Sequence, residues 1–164
     1  MKHRLLLFLT VLLTQVAAYA QQAPDFAEKF MTLYNADSTL RCITVSPKMM
    51  EQVAGLHEEG ENDSIVQAIA KLKSARIVSG NADYYQKAIE LLEKNKRRFK
   101  AEQEFRKEDL HGAFFTRRDR KGNTVELVML QEEPQNDRFT IVNLTGDIDE
   151  EFLCFLYNNK SLKN

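Results

Sequence analysis

Cysteine, proline, glycine and histidine are all scarce in this chain: its 164 residues hold two, three, six and three of them. Two cysteines are too few to define a scaffold in the way that disulfides define small secreted modules. So little proline and glycine, with no low-complexity run and no internal repeat, argues against long disordered linkers. The motifs of common chemistries are missing as well. There is no P-loop, no G-x-G-x-x-G and no H-E-x-x-H, the signatures of phosphate cradles, dinucleotide sites and zinc peptidases. A G-x-S-x-G elbow is also absent, and Val78-Ser79-Gly80 matches it only superficially.

What is present begins with a leader. Lys2 and Arg4 precede an apolar stretch, Leu5 to Leu13, broken only by Thr10, and Ala18-Tyr19-Ala20 supplies an A-x-A site. These are the three parts of a secretory signal peptide. A membrane span needs roughly 20 predominantly apolar residues, and Gln15 follows too soon. No cysteine stands at the cleavage point to carry a lipid. The expected division is therefore a signal peptide over residues 1–20 and one domain over 21–164. Loss of the leader takes Lys+Arg from 23 to 21 against 24 Asp+Glu, a net charge of −3. That balance speaks against a dedicated nucleic-acid binder, and no later stretch is apolar enough to form a transmembrane helix.

The stretch Lys107 to Gly146 organises the remainder. Three runs rich in β-branched and aromatic residues are divided by two turn clusters, Asp119 to Asn123 and Pro134 to Asp137, the pattern of an antiparallel meander. Upstream, Asp25 is suited to cap a helix striped by Phe26, Phe30, Leu33 and Tyr34. Thr39 to Val45 reads as a strand, with Ile43 and Val45 on one face and Leu40, Cys42 and Thr44 on the other. Ser46-Pro47 starts a helix that buries Met50, Val53 and Ala54. After the polar loop Glu58 to Asn62, Asp63 or Ser64 caps a short helix turning Ile65, Ile69 and Leu72 inward.

A brief strand, Ala75 to Val78, then leads through Ser79-Gly80-Asn81 into a helix capped by Asn81, with Tyr85, Ala88, Ile89 and Leu92 on its inner side. Lys94, Lys96, Arg97 and Arg98 fall at its C-terminal end, where cations oppose the helix dipole favourably. Phe99 to Phe105 alternates and reads as a third strand. After the meander, Asp147 or Asp149 opens a final helix whose Ile148, Phe152, Phe155 and Leu156 fall within roughly 100° of one another, with Cys154 about 160° from their centre. A Cys42–Cys154 disulfide would suit an exported protein and contribute about 4–5 kcal/mol in the chain-entropy model. The helix phase points Cys154 the other way.

Few residues are candidates for chemistry. His57 and His111 are isolated and lack the paired spacing of metal ligands, so no metal and no cofactor is expected and both read as surface residues. Glu126 shares a strand face with Val128 and Leu130. Covered by apolar neighbours, its carboxyl would have a raised pKa and serve as an acid or base; the plainer expectation is a solvated residue or a cross-strand salt bridge to Arg117 or Arg118. Two basic clusters, Lys94 to Lys100 and Arg117 to Lys121, would suit an anionic envelope surface, a phospholipid or glycan, although such runs are commonly a solvated helix end and hairpin tip. Asp37-Ser38-Thr39 and Asp63-Ser64-Ile65 carry a short pattern of bacterial O-glycosylation. Asn62-Asp63-Ser64 and Asn143-Leu144-Thr145 match the N-glycosylation acceptor.

The strand-to-helix step Thr44-Val45-Ser46-Pro47-Lys48-Met49-Met50, the segment Ala75-Arg76-Ile77-Val78, and the runs Val125 to Met129 and Phe139 to Ile148 together resemble the domain of unknown function 4252 family. The resemblance spans most of the chain after the leader. It implies an exported protein of a Bacteroides-type Gram-negative bacterium, in the periplasm or on the outer surface, and carries no catalytic residue with it.

The expected fold is α+β, with a mostly antiparallel or mixed sheet of five or six strands and helices mainly on one face. The expected function is a non-enzymatic envelope protein that binds a protein partner or itself, within a sensing or stress-response system. The alternatives are a small periplasmic hydrolase using Glu126 or His111, and a structural or adhesion subunit. Because the meander strands are apolar on both faces, one layer of helices would leave a face open. Val128, Leu130, Phe139 and Ile141 are therefore the expected partner surface.

Overall fold

The computed structural model describes residues 24–54, 63–107 and 109–161. Residues 1–20, expected to be a signal peptide, His57 and the loop Glu58 to Asn62, with its sequon asparagine, lie outside them. In chain order the elements are α1 (Phe26–Leu33), β1 (Arg41–Val45), α2 (Pro47–Ala54), α3 (Asp63–Ala70), β2 (Leu72–Gly80), α4 (Asp83–Lys94), β3 (Lys100–Lys107), β4 (Leu110–Arg118), β5 (Thr124–Glu133), β6 (Arg138–Ile148) and α5 (Glu150–Ser161). The fold is α+β. Its six strands form one open sheet in the order β1-β2-β6-β5-β4-β3, and every neighbouring pair is antiparallel. The parallel pairings that a mixed sheet would have required do not form, because β2 enters beside β6 antiparallel to it rather than by a right-handed crossover.

The β4-β5-β6 meander lies where its turn residues direct. Asp119 closes the first turn by accepting from the Lys121 and Asn123 amides at 2.8 and 2.9 Å. The second turn ends on Asp137, which adopts the left-handed conformation at φ 46°, a region that aspartate tolerates better than most residues. The Asp137 carboxylate also accepts from the Ala82 amide at 3.0 Å. That bond satisfies a donor near the start of α4, where Asn81 had been expected to cap; the Asn81 Oδ1 is buried without a partner.

Helices cover both faces of the sheet, not mainly one. On the first face α1 and α4 bring Phe26, Ala27, Phe30, Tyr84, Ala88 and Leu92 against Val78, Phe115, Val128, Leu130, Phe139 and Ile141. On the second face Met50 of α2, Ala68 of α3 and Phe152 and Leu153 of α5 pack with Leu72, Phe105, Phe114 and Leu127. The four residues expected to form an open partner surface, Val128, Leu130, Phe139 and Ile141, are fully buried under α1 and α4. Their expected role as an exposed surface does not hold. Enclosing side chains of this size stabilises by about 1.5–3 kcal/mol each relative to exposure, so a second helical layer is the favoured answer to a sheet apolar on both sides.

The helix stripes are rotated slightly from those the spacing suggests. Ala27 is enclosed whereas Leu33 is 56% exposed, and Tyr84 and Leu153 join the core. Asp149, not Asp147, caps α5 through the Phe152 amide at 2.9 Å. Ser46 caps α2 through the Met49 amide at 3.4 Å. Both cysteines are free and exposed. Cys42 lies on edge strand β1 and Cys154 on α5, so the disulfide considered from the sequence does not form.

Candidate functional site

The start of α1 is fixed to the sheet by a buried polar cluster. Asp25 caps the helix by accepting from the Glu28 amide at 2.9 Å. The Phe26 amide donates to Glu126 Oε1 at 2.7 Å, and the Ala27 amide to Asn143 Oδ1 at 2.8 Å. Three of the four amides that a helix start leaves without an intrahelical acceptor are thus satisfied, and a carboxylate stands at the positive end of the dipole. Asn143 turns its Nδ2 to Glu126 Oε1 and to the Leu127 carbonyl at 3.3 and 3.2 Å. Arg117 Nε donates to Glu126 Oε2 at 2.6 Å.

Glu126 is therefore the salt-bridged residue of the plainer sequence expectation, with Arg117 rather than Arg118 as partner. Arg118 reaches Glu150 instead. With no exposure and donors on both oxygens, the Glu126 carboxylate cannot meet a substrate; its role as a hydrolase acid or base is corrected to that of a pin for α1. What the sequence could not supply was the Phe26 amide, a donor 100 residues away. Asn143, on the same face one strand over and 1% exposed, is closed to the glycosylation that its sequon suggests.

Beside this cluster lies a cleft of about 450 Å³ lined by Asp25 and Glu28 of α1, Lys73, Ser74 and Arg76 of β2, Arg98, Arg117, Asp119, Val125, Thr145 and Gly146. Sequence features produce its shape. Val125 sits at a bulge where the β5–β6 register shifts between Thr124 and Glu126, and bulges bend a strand and re-aim its neighbours. Gly146 adopts φ 144°, and a Cβ there would stand 2.6 Å from the Lys71 carbonyl oxygen. Only glycine allows β6 to approach the Lys71–Lys73 backbone so closely. Arg76 is ion-paired with Asp25, and with Glu28 at 3.4 Å. The cleft unites one member of each basic cluster, Arg98 and Arg117, which the sequence offered as separate surface features.

Other candidates lie elsewhere. His111 Nε2 meets Glu132 Oε2 at 2.8 Å at the far end of the same sheet face, with the Tyr85 ring of α4 against it edge-on at 5.1 Å. Burial and the neighbouring Glu132 and Glu104 push the Tyr85 phenol up. Among the described residues no cluster of His, Cys, Asp and Glu could hold a metal ion, and no helix is long and apolar enough to cross a membrane. Ser38 and Ser64 are exposed.

The two sheet edges differ sharply. At β3, Lys100, Glu102, Glu104, Arg106 and Lys107 accompany a bulge between Ala101 and Gln103, which are devices that keep an edge from pairing with another chain. At β1 the register with β2 runs unbroken over its five residues, and four of those five are exposed. Ile43 is 63% exposed, beside its cross-strand partner Ile77, and Met49 of α2 is exposed as well.

An open antiparallel sheet between two helical layers, with a charged cleft where the first helix meets the sheet, defines a small α+β protein of three layers. The chain belongs to the family described as domain of unknown function (DUF4252), whose model matches residues 34–153. No curated protein and no solved structure matches it.

Proposed function

We propose that this chain is an exported, non-enzymatic interaction module of the bacterial envelope, acting within a sensing or stress-response system, and that edge strand β1 receives an extended segment of a partner protein. The observation that carries the reading is the contrast between the two edges: β3 is guarded by charge and a bulge, whereas among the described residues β1 leaves its backbone edge and the Ile43–Ile77 pair open. Strand addition to such an edge draws affinity from main-chain hydrogen bonds and specificity from alternate side chains. A partner segment with β-branched residues at alternate positions would continue the apolar strip of Ile43 and Ile77. The leader and the family support export, and the enclosure of Glu126 removes the main candidate for acid–base catalysis.

Affinity capture from the native envelope fraction tests this with three proteins: the wild type, Ile43→Lys, and Gln103→Lys on the guarded edge. The expected outcome is a partner retained by the wild type and by Gln103→Lys and lost from Ile43→Lys, with β1 amides gaining hydrogen-exchange protection in the complex. Capture unaffected by Ile43→Lys overturns the proposal. Ordered assemblies of the pure protein, dispersed by Ile43→Lys, would instead identify a second copy of the chain as the occupant.

A further inference from the structure

The cleft beside α1 has a surplus of hydrogen-bond donors over free acceptors. Each of its acids has a partner within the protein, with Glu28 half exposed. Asp25 caps α1 and pairs with Arg76, and Glu28 pairs with Arg76 at 3.4 Å. Some desolvation pushes the Asp119 carboxyl up, but bonds from the Asn123 amide and side chain and the Lys121 amide outweigh it and hold that carboxyl below its ordinary range. Ser74 and Thr145 bond to each other at 2.8 Å.

The donors are less engaged. Arg117 commits its Nε to Glu126, and its terminal nitrogens have no hydrogen-bond partner among the described residues. Lys73 and Arg98 line the same cleft without an acidic partner among those residues. A guanidinium carries five N–H donors and an ammonium three, so the residues lining this one concave space carry several charged donors not taken up within the protein. Formal charges in and behind the cleft cancel, with Lys73, Arg76, Arg98 and Arg117 set against Asp25, Glu28, Asp119 and the Glu126 carboxylate behind Arg117. Long-range attraction therefore does not select a ligand here; the pattern of unfilled donors does. The amides at the start of α1 are already taken by Asp25, Glu126 and Asn143 and have no part in the site.

We infer that this cleft is a binding site for a phosphate group, held by Lys73, Arg98 and the outer edge of the Arg117 guanidinium. A tetrahedral oxyanion is rich in acceptors and contributes no donors when fully ionised, which is the complement of this lining, and arginine engages such groups through paired N–H bonds. The volume, about 450 Å³, accommodates a phosphate with a small organic substituent. The same chemistry is offered by a soluble phosphate ester and by an anionic phospholipid headgroup.

The test uses the chain without its leader and two probes, inorganic phosphate followed by calorimetry and phosphatidylglycerol vesicles followed by co-sedimentation, with phosphatidylcholine vesicles as control. The variant is Lys73→Gln/Arg98→Gln, at two exposed positions, and its unliganded thermal midpoint is measured beside the wild type. The expected result is saturable phosphate binding that weakens at least about tenfold in the variant, at an unchanged midpoint. Vesicle binding lost in the same variant assigns the source to a lipid headgroup, and phosphate binding without vesicle binding assigns it to a soluble ester. Failure of both probes to bind, or equal binding by wild type and variant, overturns the inference. Ile43→Lys leaves phosphate binding intact, so failure here and failure of the edge-strand reading are separable.

Discussion

The Phe26 amide donates to the Glu126 carboxylate at 2.7 Å inside the protein, joining the first helix to the middle of the sheet across 100 residues of chain. The same carboxylate accepts from Arg117 Nε at 2.6 Å. One side chain thus serves a helix start and a cross-strand ion pair together, and its position at the positive end of α1 adds favourable charge–dipole interaction.

Removing that carboxylate leaves a helix start without its acceptor and Arg117 without its ion-pair partner. Glu126→Ala is expected to lower unfolding stability by about 3–5 kcal/mol, the range for breaking one side of a buried pair. Arg117 is itself 24% exposed on its side chain, so the Arg117→Met loss should be smaller, because water reaches the vacated side. Urea titration of the two single variants and the double variant measures the coupling, and strict additivity would show that the pair acts independently.

Gly146→Ala is expected to destabilise by about 1–3 kcal/mol, combining a positive-φ position with backbone atoms inside contact distance of the new methyl. Gly122 also has positive φ but faces open space, and alanine there should be tolerated better. Thermal midpoints of the two variants compare them directly. A larger loss at Gly122 would contradict the crowding at Gly146.

Acid sensitivity is expected at Asp37. The Tyr84 hydroxyl, followed by the Thr39 side chain and amide, holds its carboxyl down to about 2 from an ordinary 3.8. A depressed folded-state pKa contributes stability that is fully present above the ordinary value and lost as pH falls through the folded one. Wild-type stability should therefore decline between about pH 4 and pH 2, more steeply than that of Asp37→Asn. At the alkaline end Asp37 pushes the Tyr84 phenol up to about 12 from an ordinary 10.0. This contribution is present below pH 10 and is lost as pH rises toward 12. Chemical unfolding across both ranges reads the two slopes, and parallel acid slopes in wild type and Asp37→Asn would remove Asp37 as the cause.

Both thiols should react with an alkylating reagent in the folded protein without a reductant, giving two adducts by mass. Burial, offset in part by a hydrogen bond with Thr44, raises the Cys42 thiol above its ordinary value. Its rate should accordingly climb with pH well into the alkaline range, since the thiolate is the nucleophile. A mass two units low with no adduct would establish the disulfide that the structure lacks.

Local features were the legible ones. Asp25, Ser46-Pro47 and the alternatives Asp147 and Asp149 marked helix starts, and Asp119 to Asn123 and Pro134 to Asp137 marked the meander turns, because caps and turns depend on residues within a few positions of one another. Strand alternation exposed the two apolar faces. It could not tell which helices would cover them, and so Val128, Leu130, Phe139 and Ile141 read as open when α1 and α4 enclose them.

By itself the sequence determined the order of elements, the antiparallel meander and the salt-bridging tendency of Glu126 and Arg117. Only the tertiary structure decided that α1 docks its amides on Glu126 and Asn143, that Arg98 and Arg117 share one cleft, and that β1 is the open edge. The physical reason is range. Periodicity, caps and turns act within one element, whereas burial and electrostatics join groups by distance in space, and for Phe26 and Glu126 that distance is 2.7 Å across 100 residues of chain.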